Sequence, residues 1–258
     1  MTSKPKAYLI GPFFGELHWE YFRFSPYVIH LKKREPDIQI VVMTRPERFD
    51  FYGKYADVLV PLNIKNDDMY SQQAFKLIGF DNNIANELCD IFRISYKKKY
   101  SIVKHIVPDF LSFRYKIKWQ FPRDCMDYDF YPRKSNIKSI NNMFKSKKIV
   151  IADEGYTYKT EKYNVIDIKN LKKWIEPISE NKKVTYYGCL IHLLKRSKFV
   201  ISNLRSDVGR LAILLNTILI YPYRTLTNDQ VFLLNPLNTP IIDCDSIIEG
   251  VEFYENNF

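Results

Sequence analysis

Apolar positions along the chain come in short runs, separated by stretches with helical spacing. Residues 7–10 are four apolar positions closed by Gly11, which predicts a buried strand. Ser25 followed by Pro26 predicts a helix start with Ser25 as the N-cap, running through Leu31. A strand over 38–43 then completes a compact βαβ unit. A strand at 57–61 and helices near 68–78 and 83–95 follow, and the pattern then gives way to an irregular basic and aromatic stretch. Alternation restarts with strands at 148–152 and 163–168, a helix at 169–179, a strand at 183–187 and a helix at 189–196. A strand at 198–202, a helix at 206–215, a strand at 217–221 and a last strand near 239–243 complete it.

Alternating strands and helices predict an α/β protein with parallel sheets covered by helices. The two runs predict two Rossmann-like domains facing each other across a cleft. Residues 1–145 form the first, carrying a basic segment at 91–148, and residues 146–258 form the second. In such folds ligands bind beyond the carboxyl ends of the strands. Gly11, Gly15, Gly155, Gly188 and Gly209 all adjoin predicted strands, in a chain with only eight glycines.

Composition narrows the choice of class. A 258-residue chain that is 46% hydrophobic is neither disordered nor a disulfide-stapled miniature. Residues 211–223, the longest nearly apolar stretch, fall short of the ~20 residues of a membrane span. The first residues lack the apolar core of a signal peptide, so a cytoplasmic location is expected. Cys89, Cys125, Cys189 and Cys244 are widely spaced, without metal-ligand spacing, and read as reduced thiols. The net charge of +10 sits in one place: residues 91–148 hold fifteen Lys/Arg against four Asp, while the rest of the chain is nearly neutral.

Two segments resemble the GT-B glycosyltransferases, most closely the heptosyltransferase-like family. In that family a Gly-Asp pair, a proline-opened helix, Leu-Lys, a proline and a second strand follow the first strand. Here Gly15-Glu16, Pro26, Leu31-Lys32, Pro36 and residues 38–43 keep that order, with Glu in place of Asp. The family's later Ser-Asn, Asp-Ser-Gly, Leu-Ala and Gly-Thr-Pro correspond to Ser202-Asn203, Ser206-Asp207-Val208-Gly209, Leu211-Ala212 and Asn216-Thr217-Ile218. Leu204 and Arg205 are inserted, and Arg210 stands near the place of the family's histidine. The resemblance implies two facing nucleotide-fold domains and sugar transfer from a nucleotide-sugar co-substrate. It calls for no metal and no further cofactor, and it puts Glu16 at the position of the catalytic carboxylate.

Each candidate residue has a chemical reading and a plain one. Ser206, Asp207 and Gly209 at a helix start, flanked by Arg205 and Arg210, suit a donor diphosphate; alternatively Ser206 is only a helix cap. Glu16 is placed to take a proton from an acceptor hydroxyl, with His18 as the rival base. A solvated carboxylate, or a partner for Arg23, is the plain reading of Glu16, and a packed residue beside Trp19 that of His18. Glu154 and Tyr156, after the strand at 148–152, suit sugar hydroxyls and ring stacking, and Gly188 would border the base pocket. Asp127-Tyr-Asp129 and Asp243-Cys-Asp245 match a short metal-binding pattern, but neither follows an early strand.

The basic stretch from Lys97 to Lys134 interleaves lysines and arginines with Tyr100, Phe113, Tyr115, Trp119, Phe121 and Tyr131. That pattern suits an anionic acceptor, either a modified DNA base or a glycan or glycolipid, and equally a solvated face. The expected function is an inverting, metal-independent glycosyltransferase. The alternative is a catalytically silent Rossmann-like module that binds nucleic acid or an anionic partner.

Overall fold

A computed structural model describes residues 4–13, 17–62, 82–107, 125–145, 148–179, 184–222 and 235–258. The chain divides into two compact units, Met1–Tyr131 and Pro132–Phe258. Each is α/β with a parallel sheet, as the alternation predicts.

In the first unit β1 (Lys6–Ile10), β2 (Gln39–Thr44), β3 (Val58–Pro61) and β4 (Ser101–Ile106) lie in the order β3-β2-β1-β4. β1 pairs on one side with β2 and on the other with β4, so the chain reverses its direction of winding between β1 and β4. The helix between β1 and β2 starts earlier than the Ser25-Pro26 signal indicates. Helical residues Leu17–Trp19 lead into a π-helical turn, Glu20–Phe24, and then into α1 (Ser25–Arg34). Ser25 is therefore not a cap, and its hydroxyl donates to the Glu20 carbonyl. Pro26 cannot donate to Phe22 four residues back; the Tyr128 hydroxyl donates to that carbonyl instead.

α2 (Asn82–Lys97) lays Phe92 against Ala7, Leu9 and Val41, with Tyr100 closing the cluster. A second, aromatic part of the core joins Phe13 to Phe24, Tyr21 to Phe51 and Phe51 to Phe130. The stretch that reads as irregular from sequence contains β4. Among the described strands it lies at the edge of the sheet, with Val103 and Lys104 exposed, so its composition lacks the apolar run of a central strand.

The second unit contains α3 (Lys134–Met143), β5 (Ile149–Ala152), β6 (Asn164–Asp167), α4 (Ile168–Ser179) and α5 (Tyr186–Arg196). β7 (Ser197–Ile201), α6 (Asp207–Leu214), β8 (Leu219–Pro222), β9 (Ile241–Cys244) and α7 (Ile247–Asn257) complete it. The strand order is β6-β5-β7-β8-β9, which puts the reversal between β5 and β7. β5 and β8 are buried along their whole length, as strands covered on both faces require. Val150, Phe199, Ile201, Ile220, Ile242, Cys244 and Val251 form the core on one face.

Of the strand expected at 183–187, the described residues 184–187 do not form one, although their β-branched and tyrosine content indicates it. Thr185 instead caps α5, its hydroxyl accepting from the Gly188 N–H, and Cys189, Leu190, Leu193 and Leu194 turn inward at helical spacing. α7 starts at Ser246, whose hydroxyl accepts from the Glu249 N–H, while Glu249 reaches back to the N–H of Asp245. Gly250 lets α7 lie on the sheet, because a Cβ there would overlap Ile220 and Cys244.

Candidate functional site

The second unit assembles most of the predicted residues where its winding reverses, beyond the carboxyl ends of β5 and β7. Asp153, directly after β5, is buried; its N–H donates to the Ile201 carbonyl. One carboxylate oxygen accepts from the Ser202 hydroxyl at 2.6 Å and the other from the Glu154 N–H at 2.8 Å. The turn continues through Gly155, whose φ of +91° is open to glycine at no steric cost. It brings Tyr156 back, so that its hydroxyl accepts from Asn203 Nδ2 at 3.3 Å.

Asn203 is the pivot of the site. Its side-chain oxygen accepts from the N–H groups of Arg205 (2.8 Å) and Ser206 (3.0 Å), bending the chain from β7 into α6. Ser206 then caps α6, accepting from the Val208 N–H at 3.0 Å. Arg205 projects as an exposed side chain. Arg210 is half-buried, its Nε donating to the Leu204 carbonyl and its Nη1 lying 4.0 Å from Asp207. Gly209 sits against the Asn203 carbonyl, which a Cβ would overlap, so its first role is close packing of helix on strand.

Two residues not singled out from sequence join the same place. Tyr186, first in α5, has its hydroxyl pKa raised by burial, then by Tyr187 and by the carboxylates of Asp153, Asp207 and Glu154. Lys172 on α4 pairs with Glu154 at 3.3 Å and lies over the Tyr186 ring. Sequence spacing could not join Lys172, Tyr186 and Asn203, which come from two helices of one crossover and the start of the next. Gly188 lies inside the first turn of α5 and is buried, rather than at a strand end.

In the first unit Glu16 lies outside the described residues. His18 is half-buried in the short helical piece that follows. Gly11, with φ +95°, ends β1 at the reversal point; its N–H donates to Ile106 and its carbonyl accepts from His105 Nε2 at 2.7 Å. A carbonyl only accepts, so this ring nitrogen carries the proton. Burial, opposed by that hydrogen bond, lowers the His105 pKa.

Nearby, Glu20 is fully buried and accepts from Thr44 Oγ1 (2.5 Å), Tyr52 OH (2.6 Å) and the buried Arg48 (2.8 Å). Burial and then the Glu20 charge push the Tyr52 hydroxyl well above its ordinary pKa. This network had no signal in the sequence beyond a lone carboxylate inside an aromatic run.

The two Asp-x-Asp pairs have local partners. Asp127 accepts from Lys33, and Asp129 from the Tyr55 hydroxyl. Asp245 takes part in the start of α7 through its N–H. Among the described residues no group of three or more His, Cys, Asp or Glu is placed to hold a metal. No helix among them is long and apolar enough to cross a membrane. The four cysteines carry no disulfide.

No protein-family model matches this chain. No curated protein sequence matches it. Among solved structures it is similar to the glycosyl transferase family 9 protein from Veillonella parvula, at 11% identity and TM-score 0.48, over 98% of this chain and 89% of that one. It is similar to ADP-heptose LPS heptosyltransferase II from E. coli at 11% identity and TM-score 0.48, over 97% of both chains. E. coli heptosyltransferase WaaC with ADP is similar at the same identity and TM-score, over 98% of this chain and all of that one.

Proposed function

We propose that this protein transfers a sugar from a nucleotide-diphosphate donor to an acceptor hydroxyl, with inversion and without a metal. The observation that carries the reading is the turn built on Asn203. It directs the capped start of α6, with Arg205 and Arg210, to the reversal point of a parallel sheet, where α/β folds take their ligands. The sequence segments that resemble glycosyltransferases lead out of the two strands flanking these reversals, β1 and β7.

In this reading the donor diphosphate lies at the α6 start, met by the helix dipole and by the exposed Arg205. Glu154 accepts from sugar or ribose hydroxyls, and Tyr156 and Tyr186 offer ring faces. Glu16 is the assigned base, with His18 its rival. The acceptor hydroxyl gives up its proton to the base as its oxygen attacks the anomeric carbon. The bond from that carbon to the diphosphate breaks, and the electron pair leaves with the phosphate oxygen, where Arg205 compensates the new charge. Asp207 in the first turn stabilises the free helix and opposes an anion, so the arginines must outweigh it.

Thermal unfolding in the presence of UDP, GDP, ADP, dTDP and CMP tests the donor site. A ligand at a hundred times its dissociation constant adds about 2.7 kcal/mol, so one nucleotide should raise the melting temperature by several degrees, and Arg205→Ala should remove the rise. No rise with any nucleotide at saturating concentration refutes the donor site and leaves the silent binding module. Given binding, Glu16→Gln should abolish transfer while keeping the nucleotide-dependent rise; normal transfer by that variant would exclude Glu16 as the base.

A further inference from the structure

The basic stretch raised two kinds of anionic partner, nucleic acid and lipid, and the described part of it separates them. Binding of single strands or flipped bases uses aromatic faces open to the bases. Here the described aromatics near the lysine run are committed to the core: Phe92 is fully buried, Tyr100 is 4% exposed, and Tyr96 stacks on Tyr100. The exposed apolar residues of α2 and β4 are aliphatic, while Tyr131, 41% exposed at the far end of the basic stretch, has Lys54 over its ring. Ile94 is 62% exposed and Ile91 50% on α2, and Val103 is 48% exposed on β4, the next element of the chain.

α2 turns Phe92 into the sheet and leaves Ile91 and Ile94, three apart, along one outward face, with Lys98 in the turn directly after the helix. Arg93, Lys97, Lys98 and Lys99 are exposed beside these aliphatics, and Lys4 joins them by donating to the Lys97 carbonyl. The acidic residues on the helix are Glu87 and Asp90, and Asp90 is held by Arg93 at 3.0 Å. Exposed isoleucines ringed by lysines are what a protein resting on a membrane presents: aliphatic side chains enter the headgroup boundary while ammonium groups meet anionic lipids. A second copy of the chain fits the face poorly, because a two-fold contact would set the same lysines against each other.

We propose that the outward face of α2 in the first unit docks on an anionic lipid bilayer, with Ile91 and Ile94 inserting and Lys97, Lys98 and Lys99 meeting the headgroups. The proposal does not depend on the sugar-transfer reading, and its test uses no nucleotide.

The test is co-sedimentation of the full chain with vesicles of phosphatidylcholine, with and without phosphatidylglycerol, over a range of salt. The protein should pellet only with the anionic vesicles, and less as salt rises. Ile91→Ser with Ile94→Ser should weaken pelleting at least about tenfold, since burial of each aliphatic side chain drives insertion. Both positions are exposed, so the melting temperature should not move. Lys98→Gln with Lys99→Gln should flatten the salt dependence. Equal pelleting with neutral vesicles, or wild-type pelleting by the double serine variant, would overturn the proposal. So would tight, salt-dependent binding to duplex DNA by a protein that ignores both vesicles, or a dimer in solution that the serine substitutions dissolve without any vesicle binding.

Discussion

Replacing Asn203 by alanine tests whether one side chain holds the second unit's site together. The substitution removes two hydrogen bonds that its oxygen accepts, from the Arg205 and Ser206 N–H groups, and one that its amide donates to Tyr156. Each is worth about 1 kcal/mol net. Asn203 is half-buried, so water replaces part of the loss. The expected destabilisation is about 2 kcal/mol, or about 4–8 °C in melting temperature for a chain of this size. Asn203→Asp keeps the two accepted bonds and gives up only the donation to Tyr156, so it should lose about half as much or less. Tyr156→Phe should match Asn203→Asp, and the double variant should cost no more than either alone, because both remove one bond. Melting curves for the four variants, read together with nucleotide-induced shifts, decide the matter. If Asn203→Ala melts within about 1 °C of the wild type, or Asn203→Asp is as damaging as the alanine, the bend from β7 into α6 does not depend on this side chain.

Gly209→Ala should destabilise by about 2 kcal/mol or more, because its Cβ overlaps the Asn203 carbonyl and backbone must move to admit it; an unchanged melting temperature would show that α6 can slide freely. Glu20→Ala should cost about 3–5 kcal/mol by taking the Glu20 carboxylate away from the buried Arg48 guanidinium, and Glu20→Leu with Arg48→Met should recover most of it in a denaturant titration. His105 and His192 both have pKa values lowered first by burial, His192 to about 4 with further lowering from Arg196 and Lys195. The neutral rings therefore contribute stability that is full above the unfolded-state value of about 6.5 and is lost as pH falls from there, for His192 down to about 4. Melting temperature followed from pH 7 to pH 4 should drop less steeply in His192→Gln, and a parallel curve would refute this assignment.

The fold class was legible because fully buried parallel strands write themselves as short apolar runs. The segments at 149–152, 199–201 and 219–222 are of that kind, and the structure has strands there. β4 was not legible, since an edge strand with Lys104 outward carries no such run. The segment 183–187 misled because tyrosines and valine favour strands in isolation, whereas the Thr185 cap and the inward leucines decide for a helix in context. At the site, residues adjacent in sequence could be grouped in advance: Glu154 with Tyr156, and Ser206 with Asp207. Lys172 and Tyr186 could not, because their proximity to Glu154 exists only after α4 and α5 have crossed the sheet. The charge excess was legible as a sum, but which groups are exposed beside it depends on how α2 is rotated on its sheet.

The placement of β1 between β2 and β4 bears on how the first unit comes together as the chain is made. β1, β2 and β3 appear in sequence as one half of the sheet, and β1 then waits for a partner that pairs Lys6 with Ser101. So long a span makes this closure slow relative to the local helices. Until it happens the nascent chain presents the bare flank of its most buried strand, with Ala7, Leu9 and Ile10 beside open backbone donors and acceptors. Fragments that stop short of residue 100 should therefore aggregate, whereas those that include residues 101–106 should stay dispersed. Among the described strands of the first unit, the last one made keeps the first from pairing with a neighbouring chain.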